Sequence, residues 1–100
     1  MHEINSRRRA HLVALAEEGS FARAAERVHL SQPALSRSIQ ALEDEFDIKL
    51  FDRAARGVAT TAAGRMLVER GRRVLFEARC LFRDVELIRT DALEIGRAHV

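Results

Sequence analysis

From about Thr61 to Ala92 or beyond the chain runs in one helical pattern unbroken by proline, and this feature limits what the rest can become. Leu67, Gly71, Val74, Ala78, Leu81, Val85, Ile88, Ala92 and Ile95 alternate spacings of four and three. That is a heptad seam, with larger residues at one register and mostly small ones at the other. A second apolar row, Val68, Leu75 and Phe82, runs beside it. A helix with two apolar stripes cannot bury both against a globule of about sixty residues, so one row is expected to dock on its own domain and the other to find a second chain. The pattern therefore predicts a homodimer or higher homo-oligomer through Leu67, Gly71, Val74, Ala78, Leu81, Val85 and Ile88.

Ahead of that helix the apolar residues fall into shorter runs. Residues 5–18 carry Leu12, Leu15 and Ala16 on one face and are stopped by Gly19, a residue suited to the left-handed position past a helix end. Ser20 caps a second helix in which Phe21, Ala25 and Val28 share a face, while Ala24 and Ala25 are small enough to let another helix approach. HLS makes the turn, and His29 within it is expected to pack or to contact backbone. Ser31 is placed to cap a third helix by accepting from the amide of Ala34, with Pro33 in the first turn, where a missing donor costs little. Leu35, Ile39, Leu42 and Phe46 form its inward stripe, which leaves Gln32, Ser36, Arg37 and Gln40 exposed together. In KLFDRAARGVAT, Leu50 and Phe51, a turn at AARG and then Val58 predict a two-stranded hairpin, with Gly57 supplying the permissive backbone position.

Two helices at a tight turn, the second opening with Gln, Ser and Arg, followed by a basic hairpin, make a mainly α winged helix-turn-helix with a short β-hairpin wing and a long C-terminal dimerisation helix. In that arrangement the third helix, residues 31–46, enters the major groove of double-stranded DNA and the wing lies on the backbone or in the minor groove. Gln pairs bidentately with adenine and Arg with guanine, while Ser and Pro suit the backbone or a thymine methyl. The contact set is Ser31, Gln32, Pro33, Ser36, Arg37 and Gln40 from the helix, Arg53 and Arg56 flanking the wing turn, and Thr61 where the long helix begins.

Charge distribution bears on the same question. The net charge is only +2, and acids and bases balance through Gly64. Glu43, Asp44, Glu45, Asp47 and Asp52 nevertheless cluster, whereas Arg7, Arg8 and Arg9 open the chain and Arg37, Arg53 and Arg56 lie elsewhere. This predicts one acidic and one basic end, although ordinary solvated surface accounts for the charges equally well. An enzyme would need converging nucleophile, base and stabiliser, or metal ligands at suitable spacing. His2, His11, His29 and His99 are scattered and the single Cys80 has no neighbouring His, so neither a catalytic centre nor a metal or other cofactor is expected. One cysteine, no membrane-length apolar run and no signal peptide predict a cytoplasmic protein. The rival reading is a helical protein-interaction module that dimerises through the coiled coil without touching DNA. Salt-dependent retention on heparin or random duplex separates the two.

GSFARAAERVHLSQPALSRSIQALEDEFDIKLFDRAARGVATTAAG resembles the N-terminal DNA-binding domain of LysR-type bacterial transcriptional regulators. Residues 4 to about 90 share the likeness, most specifically GSF-x-x-AAE, SQPALSRSIQ-LE, LF-R and T-x-AG. The resemblance implies a winged helix-turn-helix, antiparallel pairing of long linker helices and an interrupted inverted repeat in promoter DNA as the target. It also implies a small-molecule effector acting through a C-terminal domain that this chain lacks. Asp47 stands where that family usually has Gly, and ATT at 59–61 departs from the usual Leu before Thr. The expected division is a DNA-binding domain over 1–60, a linker and dimerisation helix over 61–92, and an appended tail over 93–100, because EIGRAHV fits poorly as the start of an effector domain.

Overall fold

The computed structural model describes residues 5–54 and 57–98, with the backbone alone for residue 54 and residues 92–98. Along the chain lie α1 (Ser6–Glu18), α2 (Phe21–Arg27), α3 (Gln32–Phe46), β1 (Phe51–Ala54), β2 (Gly57–Thr60) and α4 (Ala62–Ala98).

Each short helix begins on a side-chain cap. Asn5 accepts from the amide of Arg8 at 2.9 Å, Ser20 from Arg23 at 3.3 Å and Ser31 from Ala34 at 3.2 Å. Each cap satisfies an amide that the helix cannot, and losing one costs about 1 kcal/mol. Gly19, at φ 66°, ends α1 by donating to Leu15 O at 2.9 Å. Two non-glycine residues adopt the same left-handed geometry, His29 in the turn before α3 at φ 59° and Asp47 after it at φ 52°.

The core gathers Leu12 and Leu15 of α1, Ala24 and Ala25 of α2, Leu35, Ile39 and Leu42 of α3, Leu50 and Phe51 at the start of the wing, and Val68 of α4. The methyls of α2 let α1 and α3 close around it, as their size predicts. Phe46 stays half-buried at the rim. β1 and β2 pair antiparallel from Phe51 opposite Thr60 to Ala54 opposite Gly57. Gly57 sits at φ 127°, where a Cβ would lie 3.1 Å from Gly19 O, so the wing needs glycine for both conformation and space. Val58 N donates to that same Gly19 oxygen at 3.3 Å and ties the wing to the end of α1.

α4 continues to Ala98, beyond Ala92 and through most of residues 93–100. Its seam is also divided: Leu67 packs on the core and Gly71 is buried, its missing Cβ facing Val13 Cγ2 at 3.4 Å and Arg9 Cγ at 3.6 Å. These first two seam positions therefore dock the helix on its own α1 together with Val68. Leu75 of the second row is half-buried, but Phe82 is 72% exposed. The globule has ended by then, since every residue from Leu81 to Asp91 is exposed. The side chains of Ala92 and Ile95 lie outside the described residues.

Glu17 of α1 joins three helices, accepting from Arg27 of α2 at 2.7 Å and from Arg72 of α4 at 2.9 Å. The Arg27 hydrogen bond, then that of Arg72, holds its carboxyl below the usual carboxylate value against the opposing effect of burial.

Candidate nucleic-acid interface

The amino-terminal half of α3 is open to solvent. Ser31, Gln32, Pro33, Arg37 and Gln40 are exposed and Ser36 is half-buried. Gln32, Pro33 and Ser36 form one wall of an open cleft of about 680 Å³, Arg53, Gly57 and Val58 of the wing form another, and Ser20 and Phe21 belong to the start of α2. The guanidinium of Arg53 lies over the Phe21 ring, 5.0 Å from its centroid. That cation–π contact uses the face of the guanidinium, so it holds the cation at the cleft while its in-plane N–H groups can still donate.

The remaining expected residues divide. Ser31 spends a lone pair on its cap but stays exposed. Gln40 donates to Asp44 Oδ1 at 2.9 Å, four residues along the same helix. Arg37 is exposed on the same helix and does not line the cleft. Thr61 has a different job. Its hydroxyl donates to Lys49 O at 2.7 Å and accepts from Gly64 N at 3.0 Å, so it caps α4 and has no proton left for a phosphate. Arg56, His2 and His99 lie outside the described residues. His29 is exposed in the turn, its left-handed backbone closing the end of α2.

The expected separation of charge is crossed at one place. Arg8 reaches Glu45 at 3.5 Å, so one of the amino-terminal arginines borders the acidic end of α3. Glu43 leaves the surface altogether: it is buried, and its Oε2 accepts from Leu50 N at 2.8 Å and Phe51 N at 3.2 Å. The clue was its place four residues after Ile39, on the inner side of the helix. Phe21, which shares its face of α2 with Ala25 and Val28, packs half-buried against the core and also serves as the platform for Arg53. His11 on α1 meets Ser38 Oγ of α3 at 2.7 Å through Nδ1. Burial, then the neighbouring Arg7 and Arg8, lowers its pKa from the usual 6.5.

Residues 7–65 match the lysR family of bacterial regulatory helix-turn-helix proteins. The SDS degradation transcriptional activation protein of a Pseudomonas species is 61% identical over 71 residues, 71% of this chain and 23% of that protein. The DNA-binding transcriptional dual regulator OxyR of Escherichia coli is 47% identical over 78 residues, 78% of this chain and 26% of its own length. The match thus spans about a quarter of the first two curated relatives' own length, 23% and 28%. Among solved structures, the BenM DNA-binding domain bound to benA site 1 DNA superposes with a TM-score of 0.81 at 34% identity, covering 85% of this chain and 96% of that one. The CbnR DNA-binding domain in complex with DNA gives 0.75 at 38% identity, covering 89% and 99%.

The fold and the open α3 face define a winged helix-turn-helix DNA-binding domain of a bacterial transcriptional regulator, a class of regulators and not of enzymes. The chain belongs to the lysR family.

Proposed function

We propose that α3 lies in the major groove with Gln32, Ser36 and Arg37 meeting base edges and backbone, while Arg53 of the wing meets a phosphate or the adjacent minor groove. The observation carrying this is the cleft where Gln32, Pro33 and Ser36 face an arginine held in place by an aromatic ring. Phosphate contacts set register and orientation; base-edge contacts supply sequence information. The related BenM and CbnR domains, both solved on DNA, support the assignment.

The exposed part of the seam, Val74, Leu81, Val85 and Ile88 with half-buried Ala78 between them, is the surface for a second copy of the chain. Antiparallel pairing there sets two recognition helices at opposite ends of the dimer, which suits a two-fold DNA site. Leu67 and Gly71 support this surface from within their own domain. Any small-molecule effector acts through sequence beyond this domain. A cytoplasmic place of action accords with a free Cys80 and with no helix among the described residues long and apolar enough to cross a membrane.

Selection of duplexes from a random pool tests the function. A recovered motif bound tightly, with affinity falling steeply as salt rises, is the expected result. Recovery of no motif, together with no binding to random duplex at low salt, overturns it.

A further inference from the structure

Glu43 is the only charged side chain buried among the described residues, 5% exposed in the last turn of α3. One of its oxygens, Oε2, takes the amides of both Leu50 and Phe51, at 2.8 and 3.2 Å. The other, Oε1, is buried without a hydrogen bond and has Lys49 Nζ at 3.9 Å. Residues 49–51 are gripped from the opposite side as well. Thr61 N donates to Leu50 O at 3.0 Å and Thr61 Oγ1 to Lys49 O at 2.7 Å. In the first turn of α4, Gly64 approaches so closely that a Cβ would run into the Leu50 carbonyl. Three elements, α3, the wing and α4, therefore meet at one stretch of backbone.

Cohesion alone does not call for a carboxylate here, because well-packed apolar side chains replace buried charges without loss in many proteins. A charged oxygen gives something an apolar side chain does not, namely direction: it fixes two amides along defined lines through bonds about twice as strong as neutral ones. We infer that Glu43 is a positioning residue whose charge fixes the angle between the recognition helix and the wing, and with it sequence discrimination. This rests on the DNA-reading assignment of α3. Phosphate contacts made by flexible arginines tolerate a small tilt of the helix, whereas bidentate base contacts do not. Loosening the joint should therefore erode discrimination and leave general affinity nearly intact.

The test measures binding of the parent and of Glu43→Gln to a duplex selected from a random pool and to a random duplex, with amide exchange followed by NMR. The glutamine keeps an acceptor but removes the charge. Expected are faster exchange at Leu50 and Phe51, an unchanged helical spectrum, and a ratio of selected to random affinity lowered about tenfold, with random-duplex affinity within about twofold of the parent. A ratio equal to the parent's in a folded variant overturns the proposal. If the variant does not fold, the parent decides: Leu50 and Phe51 amides must exchange as slowly as those of the α3 core, and exchange at loop rates overturns the clamp. The exchange measurement needs no DNA, so a failed clamp and a failed DNA assignment are told apart.

Discussion

The Arg53 guanidinium stacks on Phe21, 5.0 Å from the ring centroid, and so links the wing to the first residue of α2 across the cleft that α3 borders. The ring limits where the cation can go without neutralising it. Arg53→Ala is expected to weaken selected and random duplexes alike and to flatten the dependence of log affinity on log salt by about one unit. Phe21→Leu keeps the charge and loses its platform, so it should give a smaller loss with the slope unchanged. Binding isotherms over a salt series check both, and an unchanged slope in Arg53→Ala removes the phosphate contact.

Gln32 is exposed at the first position of α3, on the wall of the same cleft. Gln32→Ala should cost about 1–3 kcal/mol on the selected duplex and much less on random DNA. Equal losses on both would show that it does not read sequence.

Asp47 ends α3 at φ 52°, in the left-handed region that side chains avoid and glycine enters freely. Asp47→Gly should stabilise the domain by about 1 kcal/mol, seen as a rise of roughly 4–8 °C in Tm. A fall in Tm would mean that the Asp side chain holds the turn by contacts worth more than the backbone strain.

Substitutions along α4 should separate its two roles. Gly71 is packed under Val13 and Arg9, so Gly71→Leu overfills that contact and should lower domain stability by about 1–3 kcal/mol. Ala78→Glu lies beyond the main docking contact and is expected to split the dimer while the Tm of the monomeric domain changes little. Sedimentation and thermal melts read the two effects independently. A monomeric parent at tens of micromolar, or a fully dimeric Ala78→Glu, rejects the seam.

His11 titrates below the usual 6.5 because burial and two arginines disfavour its charged form. The unfolded chain thus takes up a proton first as pH falls. The stabilisation is complete above about 6.5 and is lost progressively as pH drops through the lower folded value. Tm of the parent should decline over that window more than Tm of His11→Gln, and parallel profiles would show that His11 is not the group responsible.

Caps and apolar spacing made most of this fold legible. Ser20 and Ser31, the stripe Leu35, Ile39, Leu42 and the glycine of the wing are local features that declare themselves in sequence. What spacing could not reveal depends on tertiary neighbours. Nothing local distinguishes Leu67 and Gly71 from Val74 and Leu81; only the position of α1 decides which of them meet their own domain. Arg8 and Glu45 are far apart in sequence, and charge counting placed them at opposite ends until α1 and α3 packed side by side. Thr61 and Glu43 look like surface polar groups because the backbone atoms they serve, at residues 49–51, belong to another element.

At 37 residues α4 is about 55 Å long, nearly the full 64 Å of the molecule, and it is gripped only over its first few turns. The joint at Gly64 and the packing of Gly71 on Val13 fix its base, and the arm from Leu81 onward stands clear of the globule. A bend of about 7° beyond Ala78 carries the far tip, about 30 Å further on, by about 3.5 Å, the rise of one base-pair step. If a partner chain is held along that arm, small bends in it translate into whole-step changes in the distance between two recognition helices.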